Sequence, residues 1–158
     1  PLLHAAHNLG ENDPAFLYKL GYCFSRASSY DNAAKCYVAA AQKLEENPEQ
    51  NKRLLRKVYT NGGAALAELG RTKEAVQLYK KATGLDDTFA APYFNLGLIY
   101  KQQKDGKEEA IKALRHHIAL GGSRSRSARR LILELQSSGQ EASEAPSAGS
   151  SVDTTSGQ

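Results

Sequence analysis

Few residues in this chain are of a type and spacing that could do covalent or metal chemistry. His4 and His7 stand three apart in PLLHAAHNLGEN, a spacing that puts two imidazoles on one helix face, where they could share a metal ion. No third ligand lies near them, so they read as surface or packing histidines and no metal site is expected. His116 and His117 are adjacent, and neighbours on a helix point apart. Cys23 and Cys36 are the only cysteines. They make neither a C-x-x-C nor a metal-ligand spacing, so free thiols in a reducing compartment are expected. Gly62-Gly63 follows no strand and is not a phosphate cradle, and no H-E-x-x-H or nucleophile–base signature is present. The pattern predicts a non-catalytic chain without a cofactor. Ser123, Ser125 and Ser127 lie among arginines, where phosphorylation and helix capping are both open readings.

The elements that would position any binding residue are more informative. RKVYTNGGAALAELGRTKEAVQLYKKATGLDDTF, from Arg56 to Phe89, reads as two helices joined by a turn at Gly70-Arg71-Thr72. Tyr59, Gly63, Leu66 and Leu69 recur at helical spacing in the first half, and Ala75, Leu78, Tyr79 and Ala82 in the second. Thr72 is placed to cap the second helix, with Glu74 in its first turn. The frame then recurs: Asn95-Leu96-Gly97 follows Asn61-Gly62-Gly63 after 34 residues. An earlier copy opens at Leu20-Gly21, 42 residues before Gly63, and continues through Ala33, Tyr37 and Ala40. The eight extra residues fall in the charged run Glu45 to Lys52, expected to lengthen the first hairpin as a solvated helix extension. After Gly97 the copy runs on through Ala110, Leu114 and His117, with one residue inserted near Lys104-Asp105-Gly106. Gly63 and Ala75 are expected where the two backbones approach, with Leu66 and Tyr79 filling the space beside them.

These copies resemble the tetratricopeptide repeat family, whose 34-residue helix–turn–helix carries L-G-x-x-Y in its first helix and A-x-x-x-F, then Ala, in its second. The matches are Leu20, Gly21, Phe24, Ala33, Tyr37 and Ala40; Gly63, Leu66, Gly70, Ala75, Tyr79 and Ala82; and Tyr93, Leu96, Gly97, Tyr100 and Ala110. Gly62 stands where Leu is usual, His117 where a small residue is usual, and Asp87 and Gly122 where Pro usually closes the repeat. The resemblance implies an all-α, right-handed α-solenoid over residues 1–137. Its parts would be a partial unit (1–12), a repeat with an extended hairpin (14–55), repeats at 56–89 and 90–122, and a capping helix at 124–137. Residues 138–158, rich in Ser and Gly without an aromatic, are expected to be a disordered tail.

The resemblance also implies a concave face lined by the first helix of each repeat. On it would lie Lys19 and Tyr22, then Lys57 and Asn61, then Phe94 and Asn95, with Arg126 and Arg130 continuing the row. An amide offers both donor and acceptor and can pair with an extended peptide backbone of any sequence. The rings would take apolar side chains, and the cations would attract carboxylates. The alternative use of the amides is internal, satisfying polar groups of neighbouring helices. Family members hold the acidic tails of heat-shock chaperones in a carboxylate clamp. Asn95, Arg126 and Arg130 would match its later part, but Thr60 and Ala64 fall where the clamp needs Lys and Asn, so a full clamp is not expected.

The charge balance fits a protein partner better than nucleic acid. Lys and Arg number 21 against 17 acids, a net +4, and the tail holds three of the acids, leaving +7 on residues 1–137. That surplus favours an acidic partner but lacks the per-repeat code of helical RNA readers. No apolar run is long enough for membrane insertion. The expected function is a cytoplasmic protein–protein interaction module, part of a larger scaffold or adaptor, that binds a partner's extended peptide or helix in its concave groove. The second reading is an assembly segment acting through its terminal helices, self-associating through the apolar edge of Leu2, Leu3 and Leu9.

Overall fold

The computed structural model describes residues 13–137. The partial unit at 1–12, with its apolar edge and His4 and His7, and the tail from 138 onward lie outside the described residues. Seven α-helices make up the described chain, with no strand among them: α1 (Pro14–Arg26), α2 (Tyr30–Leu44), α3 (Pro48–Glu68), α4 (Thr72–Leu85), α5 (Ala91–Lys101), α6 (Lys107–Ala119) and α7 (Ser125–Ser137). They pair as the hairpins α1–α2, α3–α4 and α5–α6. Each hairpin packs on the next through α2 on α3 and α4 on α5, and α7 closes the stack against α6. The first helices of successive hairpins also touch, α1 with α3 and α3 with α5.

Local chemistry sets the helix ends. Asp13 caps α1, its carboxylate accepting from the Ala15 amide at 2.9 Å, and Pro14 opens the helix without wasting an N–H. Thr72 does not cap α4 as predicted. It is the first helical residue, its hydroxyl reaches only back to the Gly70 carbonyl at 3.5 Å, and the helix start is marked by the bidentate Arg71–Glu74 pair. Three helix C-termini share one device. Ser28, Gly70 and Gly121 take positive φ, and the next amide bonds back five residues: Ser29 to Phe24, Arg71 to Leu66 and Gly122 to His117.

The charged run after α2 also sits differently from expectation. Instead of lengthening the hairpin, Glu45 to Asn47 form a short link, and Pro48 opens α3. The inserted residues thus become extra turns at the start of a 21-residue helix. Proline at the first helical position makes this the favoured solution, because it cannot continue α2 but readily begins α3.

The core follows the repeat. Gly21 faces the Tyr37 ring, Gly63 the Tyr79 ring and Gly97 the Leu114 side chain; a Cβ on Gly63 would sit 2.7 Å from Tyr79 Cε1. The close approach at Gly63 is therefore helix to ring, not the backbone-to-backbone contact with Ala75 that was predicted. Tyr37, Tyr79 and Leu114 are almost fully buried, as are Ala33, Ala75 and Ala110 on the same second helices. Apolar contacts separate into two clusters. One runs from Leu17 through Tyr37, Leu55 and Tyr79 to Leu96 and Ile99; the other joins Phe94 and Leu114 to Ala128, Ile132 and Leu135 of α7, and Tyr100 touches both.

His117, anomalous in the sequence pattern, is buried at 2 % exposure. Its Nδ1 bonds the Ala90 carbonyl at 2.8 Å, and the ring fills the space that a side chain at Gly122 would need.

Candidate functional site

A cleft of about 550 Å³ opens between α3 and α5, floored by Tyr79 of α4. Its walls follow the repeat: Asn61, Ala64 and Glu68 descend α3, and at equivalent positions Asn95 and Leu98 descend α5 to Gln102, the residue that caps its C-terminus. Spacings of three and four along each helix put each set on one face. The small side chains of Ala64 and Ala67 keep one wall low, while Leu98 and Ile99 supply apolar surface opposite. Arg124, in the turn before α7, borders the cleft with its guanidinium 4.7 Å from the centre of the Phe94 ring.

Both asparagines are half-buried and partly engaged inside the protein. Asn61 Nδ2 donates to the Tyr18 hydroxyl at 3.2 Å, which favours the ionised phenol, but burial dominates and pushes the Tyr18 pKa up. Burial likewise raises Tyr79 well above the ordinary phenol range, opposed by the Asn95 amide beside it. Each amide thus serves a tyrosine of its own fold. Asn61 also bonds the Tyr37 hydroxyl. An amide has four hydrogen-bonding positions, so these internal bonds still leave each asparagine with capacity for a ligand.

The structure brings together only part of the predicted row. Asn61 and Asn95 share the cleft. Phe94 does not: it is 5 % exposed, its ring tilted against His117 and packed into the cluster beneath α7, so it is not presented to a ligand. Arg126 and Arg130 are exposed but do not line the cleft, and Arg130 lies 3.5 Å from Glu134 on its own helix. The phase of α7 explains this, since Ala128, Ile132 and Leu135 take the inward face and turn those arginines outward. Lys19 and Tyr22 are exposed on α1 and Lys57 is half-buried on α3; none of the three borders the cleft.

Sequence reasoning missed Glu68, Gln102 and Arg124. Glu68 and Gln102 were recoverable, because they sit 34 residues apart and two turns beyond Asn61 and Asn95. Arg124 carried no such signal, since its place depends on the turn at Gly121 and Gly122. Among the described residues no group of His, Cys, Asp and Glu is arranged to hold a metal ion, and no helix is long and apolar enough to cross a membrane. Cys23 and Cys36 are free thiols, and burial raises the pKa of Cys36.

Comparison with known proteins places this geometry. The family model described as TPR repeat matches residues 63–104, and one described as tetratricopeptide repeat matches residues 90–120. A peroxisomal targeting signal receptor from Kluyveromyces lactis is 30% identical over 118 residues, 73% of this chain and 19% of that protein. The Saccharomyces cerevisiae protein of the same name is 32% identical over 96 residues, 61% of this chain and 14% of its own length. The chain therefore spans a fifth or less of these curated relatives. Among solved structures, the Sgt2 TPR domain from Aspergillus fumigatus superposes with a TM-score of 0.70 at 22% identity, over 92% of this chain and 91% of that one. The TPR2B domain of yeast Sti1, solved as a complex with pHsp70, gives 0.67 at 22% identity, over 79% and 97%. At that identity the likeness is one of fold.

Proposed function

The helical hairpins of this chain are tetratricopeptide repeats, and from that premise we propose that the cleft between α3 and α5 holds an extended peptide segment of a partner protein. Such repeats are non-catalytic modules for protein–protein interaction. The observation that carries the finer reading is the pair Asn61 and Asn95, at equivalent positions on adjacent repeats and facing one cleft. Their free amide capacity suits a ligand backbone, whose own donors and acceptors repeat along the strand. Support also comes from relatives named as receptors for a targeting signal and from a structural neighbour solved with pHsp70. Free thiols at Cys23 and Cys36 suit work in a reducing, intracellular setting. The chain would serve as one segment of a larger scaffold or adaptor.

The test is affinity capture with the chain as bait, repeated with Asn61→Ala and Asn95→Ala together. Captured partners are expected to be lost while circular dichroism keeps its helical signal. Loss of the Asn61–Tyr18 bond costs about 1 kcal/mol of stability, too little to unfold the stack. Partners retained by the double variant would remove the cleft from consideration.

A further inference from the structure

We infer that the cleft selects peptides carrying one basic and one acidic side chain in a fixed order, read by Glu68 at one end and Arg124 at the other; this rests on the cleft being a peptide site. Among the described residues that line the cleft, Thr60, Asn61, Asn95 and Gln102 are neutral polar groups, and only Glu68 and Arg124 carry a charge. Glu68 and Arg124 line one cleft and have no ion pair among the described residues, with each other or with anything else. Arg124 has only the face of the Phe94 ring, which leaves its N–H donors free.

Glu68 is also badly placed for the helix that bears it. It ends α3, whose last turn has no basic residue, so its carboxylate sits against the negative end of the helix dipole. A ligand cation would relieve that repulsion. Arg124 would meet a ligand carboxylate through a charge-assisted, two-pronged bond. Both charges act on the Tyr79 hydroxyl, Glu68 raising its pKa and Arg124 lowering it, which puts both within electrostatic reach of the cleft floor.

Their separation sets a register. Arg124 stacks on Phe94, next to Asn95, and Asn95 is level with Asn61 in the repeat. Glu68 lies seven residues past Asn61, about 10 Å along the helix axis. An extended chain covers that distance in roughly three residues. The favoured ligand therefore carries its basic and acidic side chains about three residues apart, and it lies in one direction along the cleft.

The probe is a library of short fluorescent peptides, acetylated and amidated at their ends. Each carries one Lys or Arg and one Asp or Glu at varied separation, in both orders, against uncharged controls. Binding to the full chain is read by anisotropy. The expected result is a preference of about tenfold for one order at a separation near three, on the scale of a charge-assisted bond. The variant Glu68→Lys with Arg124→Glu keeps net charge constant, alters only exposed side chains, and should invert the preferred order. If peptides bind equally whatever their charges, or the double swap leaves the order unchanged, the charge-pair inference is overturned while the cleft stands. If no peptide binds, the cleft reading falls and this inference with it.

Discussion

At the residue scale, what a side chain costs depends on what faces it. Gly63 and Gly84 both lie within helices, yet a Cβ on the first meets the buried Tyr79 ring and a Cβ on the second meets open space. Gly63→Ala should lower stability by about 1–2 kcal/mol, because overpacking of roughly 1–3 kcal/mol outweighs the helix gain of roughly 0.5–1 kcal/mol. Gly84→Ala should raise stability by roughly 0.5–1 kcal/mol. Urea unfolding of the two variants measures both signs. Glu45 adds an acid-sensitive contribution. The Tyr59 hydroxyl, then the Lys81 ammonium, hold its carboxyl below its ordinary value of 4.5. A depressed folded pKa stabilises the fold above the unfolded value and loses that stability as pH falls through the folded one. Glu45→Gln should therefore flatten the acid limb of a stability–pH curve below about pH 4.5. The change should stay under about 1 kcal/mol, because the side chain remains 39% exposed. The spacing of the glycines was legible from the repeat, but their partners were not, since the ring opposite Gly63 belongs to another helix.

At the element scale, repeats within one chain are internal controls. Ser28 holds the left-handed turn after α1 that Gly70 holds after α3, 42 residues on. A left-handed Ser costs about 1–2 kcal/mol, and Gly returns roughly 0.4–1 kcal/mol of that through a freer unfolded chain. Ser28→Gly should thus raise stability by somewhat under 1 kcal/mol, read as a shift in the thermal midpoint. Asp86 ends α4 and ties it to α3 through Arg56, whose guanidinium also rests 4.5 Å from the centre of the Phe89 ring. Asp86→Ala strands a cation whose Nε already has no partner, and should cost about 2 kcal/mol in denaturant unfolding. Helix order was legible from periodicity, and the start of α1 from Asp13-Pro14. The start of α3 was not read, although Pro48 marked it: the repeat length argued for a boundary at Arg56, while proline chemistry settled it eight residues earlier.

At the scale of the whole molecule, the stack and its groove were legible because a 34-residue period fixes which residues share a face. Asn61 and Asn95 came out together for that reason. Phe94, Arg126 and Arg130 did not, because their orientation depends on how α7 docks, and no further described copy follows α7 against which to read its phase. The docking itself is testable. Ile132 is 9% exposed in the cluster under α7, so Ile132→Ala should cost about 2–4 kcal/mol. Hydrogen exchange should show the loss concentrated in α5 to α7, with α1 and α2 little changed. Two apolar clusters meeting at Tyr100 carry a mechanical consequence as well. Pulled from its two ends in an optical trap, the chain would not let go all at once. It would lengthen in separate ruptures, one for each cluster.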